Sequence, residues 1–197
     1  MKKFNTAGPS VAGRHFMIDP LHRIDIESIE GLIEDQRYFV LHAPRQTGKT
    51  TCLLALMHHL NAQATYRALY VNIEAAQAAR GNVAEGMAAI VRALASAASV
   101  HWGDEAASQV ATQMLQTTGP TDWVRGVLEQ WARNSPRPIV LLLDEVDALV
   151  GDTLISLLRQ IRAGYAQRPG AFPQTIILCG VRDVRDYRIH TAHHEII

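Results

Sequence analysis

Gly48-Lys49-Thr50 follows closely on the apolar run Tyr38-Phe39-Val40-Leu41-His42, with only Ala43-Pro44-Arg45-Gln46-Thr47 between them. Few folds accommodate that order. A buried strand must end, its loop must turn, and a helix must begin at once. The first N–H groups of such a helix have no intrahelical partner and converge on one point at the positive end of its dipole. Phosphate suits that point. Lys49 then reaches the β- and γ-phosphate oxygens, and the Thr50 hydroxyl can ligate Mg²⁺. The expected cradle is Ala43, Pro44, Arg45, Gln46, Thr47, Gly48, Lys49, Thr50 and Thr51. Ala43 departs from the usual glycine, which is tolerable only where φ stays negative.

Downstream, the apolar patterning alternates between strand and helix. A short helix is expected over 24–36, a strand over 38–42 and a helix over 51–61 whose apolar density fits packing on a sheet. A second strand is expected over 68–73, and an Ala-rich helical stretch over 74–100. Helices over 102–118 and 121–134 are parted by Gly119-Pro120, and Ser135-Pro136-Arg137-Pro138 is a stop. Ile139-Val140-Leu141-Leu142-Leu143 is the most continuous β-type run and fits a central parallel strand covered on both faces. A helix over 154–167 and a strand over 175–180 complete the series. The fold class expected is α/β, a parallel sheet with helices on both faces and right-handed crossovers.

The central strand ends in Asp144-Glu145-Val146-Asp147. A carboxylate at the carboxyl end of a buried strand, beside a phosphate loop, can hold Mg²⁺ through water; Asp144 has that role. Glu145 is placed to polarise the attacking water as general base. Alone, an Asp-Glu pair after a strand reads as a solvated turn or a helix cap. Together with the loop it points to a nucleoside triphosphatase. Asp147 either hydrogen-bonds in the site or caps the next helix, and the sequence leaves both open.

Composition narrows the remaining choices. The chain of 197 residues carries 19 basic and 19 acidic side chains, so no global field marks it as a nucleic-acid-gripping protein, though a local patch stays compatible with one. Cys52 and Cys179 are too few for a disulfide framework and read as reduced thiols. The N-terminus lacks a signal-peptide apolar core, and no stretch is read as approaching the ~18 apolar residues of a membrane span. The expected location is cytoplasmic, with no membrane partner. The segment His15-Phe16-Met17-Ile18-Asp19-Pro20-Leu21 is the candidate base-facing stretch, although the same residues would also serve to cover a sheet edge.

An extra strand between the loop strand and the acidic strand, with a glutamate after the metal aspartate, resembles the additional-strand, catalytic-glutamate division of P-loop ATPases. That division includes AAA+ proteins and signal-transducing ATPases with numerous domains. The runs Tyr38 to Thr51 and Leu142-Leu143-Asp144-Glu145-Val146-Asp147-Ala148-Leu149 look like those of bacterial AAA-like ATP-binding proteins, and the likeness extends over residues 14–185. The resemblance implies ATP and Mg²⁺ as cofactors, ADP as product, and strand order 5-1-4-3-2. It also implies a γ-phosphate sensor after the fourth strand, for which Arg182 is nominated and Arg185 is second. ATP over GTP rests on the resemblance and on the lack of an Asn-Lys-x-Asp motif. Only four strands are counted, without a fifth strand or lid. Residues 1–23 are therefore expected to be an extended lead-in, and 24–197 a core cut short at its C-terminal end. The function expected is ATP hydrolysis driving a conformational change in an attached or partner effector, with self-association as a further option. Two other readings are kept: a nucleotide-gated switch with negligible turnover alone, and a DNA-linked motor or loader.

Overall fold

Alternation along the strands decides the architecture. The computed structural model describes residues 3–4, 13–16, 18–44 and 46–181. Arg45, Met17, Arg182 and Arg185 lie outside the described residues. Four strands, β1 (Phe39–His42), β2 (Arg67–Asn72), β3 (Ile139–Asp144) and β4 (Thr175–Gly180), form one parallel sheet in the order β1-β4-β3-β2. That is the family order without its fifth strand, among the described residues. Every residue of β3 is buried. Ile139, Leu141 and Leu143 enter one hydrophobic cluster and Val140 and Leu142 the other, as a period of two requires.

Helices cover both faces. On one face α1 (Ile26–Glu34) and α2 (Lys49–Ala62) pack Ile29, Ile33, Leu53, Leu56, Met57 and Leu60 against Val140, Leu142, Ile177 and Tyr70. On the other lie α3 (Val83–Ala97), α4 (Glu105–Thr117), α5 (Trp123–Asn134) and α6 (Gly151–Ala163). They bury Met87, Ile90, Val127, Leu128, Trp131 and Leu157 over Leu69, Leu141 and Ile176. Arg67 seals the β2 end of this layer, stacking 3.9 Å from the Trp102 ring and pairing with Asp104 at 2.6 Å.

Two expectations are corrected. The Ala-rich stretch 74–100 is not one helix. It opens with a 3-10 turn, Glu74–Ala79, and breaks at Arg80 (φ 48°); α3 then restarts after Asn82, whose side chain accepts the Glu85 N–H at 3.2 Å. The Thr153 hydroxyl donates to the Arg80 carbonyl at 2.6 Å, so a cap and a tertiary bond override alanine's propensity. The second correction concerns apolar length. Val83–Trp102 runs as 20 helical residues with mean hydropathy 1.4, long and apolar enough by composition to span a membrane. Alanine supplies much of that apolarity, and Met87, Ile90, Val91 and Leu94 are fully buried against the sheet and the neighbouring helices, which accounts for it as a core helix.

One buried side chain ties two helices together. Gln160, only 4% exposed on α6, accepts the Val124 and Arg125 N–H groups at 2.9 and 3.2 Å and donates to the Pro120 carbonyl at 2.9 Å. It thus caps α5 from another helix, where Asp122 makes no cap bond. Gln160→Leu leaves two helix-terminal donors without that acceptor and should destabilise the fold by about 2 kcal/mol, measured by urea unfolding. An unchanged midpoint would show that water replaces the amide.

Candidate functional site

The sheet's carboxyl edge gathers the sequence's candidate residues. β1 continues by one bond past its end, Ala43 N–H to Gly180 O at 3.4 Å, which seats the start of the loop on β4. The left-handed positions fall at Gln46 (φ 60°) and Gly48 (φ 82°), not at Ala43. The missing glycine is therefore tolerated, because the turn asks for positive φ further along. The Thr47 hydroxyl donates to the Pro44 carbonyl at 2.7 Å and closes the loop on itself. α1, α3 and α4 each begin with an Asp or Asn side-chain cap, whereas α2 begins at Gly48 with none. No side chain caps its first turn, the kind of helix start that can receive an anion.

Lys49 Nζ donates to the loop's own carbonyls, Ala43 O at 3.1 Å and Pro44 O at 3.2 Å. Thr50 lies one residue further, and its hydroxyl donates to Asp144 Oδ2 at 2.7 Å. Strand parity explains the meeting. Asp144 is the next residue after Val140 and Leu142 on the α2 side of β3, so its carboxylate faces the first turn of α2. It is fully buried. A buried carboxylate is tolerated only when hydrogen-bonded, and three donors serve this one: Thr50, the Glu145 N–H on Oδ1 at 3.0 Å, and the Tyr70 hydroxyl on Oδ2 at 3.0 Å.

Sequence reading missed Tyr70. No sequence signal marked it, because only the β2–β3 register, which pairs Asn72 with Asp144, places residue 70 on the same face. Burial, followed by the charge of Asp144, pushes the Tyr70 pKa up, so it remains a donor. Arg23 was also missed. The short 3-10 turn Pro20–Arg23 brings its Nη1 so close to Gly48 that a Cβ there would lie 2.9 Å away. Nothing in the local pattern marked it, since only the turn's docking on α2 makes the approach.

Glu145 follows Asp144 in a left-handed conformation, φ 61° and ψ 37°. A non-glycine residue there stores strain, and such outliers cluster at functional positions. Burial, then the neighbouring charges of Asp144 and Asp147, raise the Glu145 pKa above the ordinary glutamate value; Lys49 opposes them. Asp147 does not cap α6, whose N-cap is Val150. Its Oδ2 accepts the Val181 N–H at 3.1 Å instead.

Two cavities flank the loop. One of about 310 Å³ is lined by Phe16, Ile18, Pro20, Arg23, Gly48, Thr51 and Cys52, so part of the segment read as base-facing meets the loop there. The other, about 200 Å³, lies along Leu41, Ala43, Lys49, Cys52 and Cys179. Burial pushes the Cys179 thiol up to about 12, which keeps it protonated and unreactive. Arg45, within the cradle, and the sensor candidates Arg182 and Arg185 lie outside the described residues.

A family model described as the AAA domain matches residues 32–187. A search of the curated proteins finds no match. Among solved structures, the chain is similar to one of Drosophila ORC bound to poly(dA/dT) DNA and Cdc6, with TM-score 0.50 and 15% identity, covering 88% of this chain and 27% of that one. It is similar also to a chain of Drosophila ORC bound to GC-rich DNA and Cdc6, with TM-score 0.48 and 15% identity over 96% of this chain and 32% of that one. A chain of Drosophila ORC bound to DNA gives TM-score 0.43 and 19% identity, over 81% of this chain and 37% of that one. At such identities the likeness is one of fold. The chain spans little more than a quarter of the first of these.

The Glu145 shift has a consequence for stability. A carboxyl whose folded pKa is raised favours the fold only below its unfolded pKa, and that contribution is lost as pH rises through the folded value. Glu145→Gln should therefore match the parent in acid and become the more stable of the two as pH rises through the raised value. Urea unfolding of nucleotide-free protein from about pH 4 to about pH 8 reads the difference. A gap that does not grow with pH would contradict the shift.

Proposed function

The chain belongs to the AAA-domain family, and from that premise we propose that it binds ATP with Mg²⁺ and hydrolyses it, using Lys49, Thr50, Asp144 and Glu145. The observation that carries this is the 2.7 Å bond from the Thr50 hydroxyl to Asp144 Oδ2, which joins the loop to the acidic strand end. Both groups present oxygen, the ligand type Mg²⁺ takes, and the buried carboxylate faces the helix N-terminus where phosphate would sit. The donor set fits. Mg²⁺, when bound, supplies charge neutralisation across the phosphate oxygens, and Thr50 and Asp144 would hold it.

The chain's own residues perform the rest. The uncapped N–H groups of α2 bind phosphate oxygens. Lys49 exchanges two neutral carbonyls for anionic oxygens, which gives it a stronger set of charge-assisted bonds. Arg23, exposed beside Gly48 and without an ion pair among the described residues, adds positive charge on the side of the larger cavity. Phe16, Ile18 and Pro20 offer that cavity apolar surface for the purine. Glu145 accepts the proton of the attacking water, and its raised pKa makes it a better base than an ordinary glutamate.

A second reading rests on the field at Glu145. Among the described residues, Lys49 is the only cation whose charge acts appreciably on it, against Asp144, Asp147 and Glu74. Such a field suits a nucleotide-gated switch whose turnover depends on positive charge brought to Glu145 by other parts of this chain, a second copy or an effector. Phosphate release measured against protein concentration separates the readings. A rate per chain that rises with concentration indicates self-association, and a flat near-zero rate indicates the switch. Addition of duplex DNA at several salt concentrations tests the DNA-linked alternative.

Glu145→Gln should keep ATP affinity while turnover falls about 100-fold, and Lys49→Ala should lose binding itself. Equilibrium binding of a fluorescent ATP analogue and a phosphate-release assay check both. Unchanged turnover in the glutamine variant, or retained affinity in the alanine variant, would sink the assignment.

A further inference from the structure

Asp147 belongs to the acidic turn, and besides lending its charge to the field at Glu145 it makes a contact of its own. Its carboxylate leaves the turn and reaches the chain as it exits β4, where Oδ2 accepts the Val181 N–H at 3.1 Å. Oδ1 is buried without a hydrogen-bond partner among the described residues. It lies against Gly180, where an added Cβ would come within 2.9 Å of it. Residue 180 must therefore lack a side chain for the carboxylate to seat. Among the described residues the carboxylate is thus held by the Val181 N–H on one oxygen and packed against the bare Cα of Gly180 on the other.

The position of this bond gives it meaning. Register between β3 and β4 ends at Leu143↔Leu178. Beyond it, the turn that carries Glu145 is held by short-range bonds of its own: Glu145 N–H to Asp144 Oδ1, Ala148 N–H to Glu145 O at 3.0 Å, and Leu149 N–H to Val146 O at 3.2 Å. None of those reaches β4. Asp147 does, and so extends the β3–β4 connection past the end of the ladder. We propose that Asp147 is a positioning residue that locks the Glu145-bearing turn to the end of β4 and thereby fixes where the water-activating carboxylate stands. This deepens the reading of Glu145 as general base and rests on it. Gly180 is the second half of the device, because its bare Cα lets the carboxylate close on the strand.

A displacement of the general base by about 1 Å lowers turnover steeply while leaving the phosphate contacts of Lys49 and Thr50 in place. The test compares Asp147→Ala, Asp147→Asn and Gly180→Ala in the full chain. Asp147→Ala should lower kcat by roughly 10-fold to 100-fold with ATP affinity unchanged. Asp147→Asn keeps an oxygen acceptor for the Val181 N–H and, like Asp147→Ala, lacks the charge felt by Glu145, so its kcat should stand well above that of the alanine variant, which isolates the bond. Gly180→Ala, which pushes the carboxylate away without altering it, should reproduce the alanine defect, and it carries the test if Asp147→Ala does not fold. Amide hydrogen exchange at Val181, read by NMR, should accelerate in the two alanine variants and not in the asparagine one.

An unchanged kcat in both alanine variants would overturn the proposal, as would an asparagine variant no better than alanine. So would a defect confined to ATP affinity. If the parent chain shows no turnover, the hydrolytic reading fails separately. The tether is then judged by exchange alone, and Val181 protection that survives Asp147→Ala removes it.

Discussion

A carboxylate with no exposure to water organises this protein's site. Asp144 ends β3, the one strand among the described residues whose every side chain is buried, and leaving that charge unpaired would cost several kcal/mol. The fold answers with three donors from three elements: Thr50 from the head of α2, Tyr70 from β2 and the backbone of Glu145. Each donor fixes something else. Thr50 sets the helix against the sheet, Tyr70 secures the neighbouring strand, and the Glu145 amide holds the next residue in its left-handed turn. The same carboxylate thus ties together the parts that a nucleotide would have to meet.

That arrangement carries opposed requirements. The head of α2 is left without a side-chain cap, and among the described residues Lys49 bonds to its own loop. Glu145 sits in strained backbone amid like charges, and Asp147 buries an oxygen with no donor among the described residues. Each feature lowers stability locally. The surrounding core compensates, with apolar clusters on both faces of the sheet and a buried glutamine capping α5 across helices. Strain concentrated at one edge and supported by a well-packed remainder is the pattern of a binding site on an α/β scaffold.

Much of this was legible because the signals were local. Periodicity placed the four strands to within a residue or so at either end, and the Gly48-Lys49-Thr50 junction located the start of α2 beside the acidic strand end. The failures share a physical cause. The Ala-rich stretch read only as high helix propensity because propensity is local, while the break at Arg80 is held by Thr153, far along the chain. Val83–Trp102 was passed over as a long apolar stretch because its apolarity is spread over many alanines, and only its packing identifies it as a core helix. Ala43 was an open question, and backbone torsions answered it by placing the left-handed turns at Gln46 and Gly48.

The sequence by itself determined the strand–loop–helix junction, the acidic strand end and the alternating α/β order, because each depends on neighbours within a few residues. Tertiary structure alone decided which side Asp144 faces, that Tyr70 and Arg23 belong to the site, and that Asp147 bonds to Val181 instead of capping α6. Those outcomes depend on register between strands and on helix docking. Register is set by the packing of the whole sheet, and no local pattern contains it.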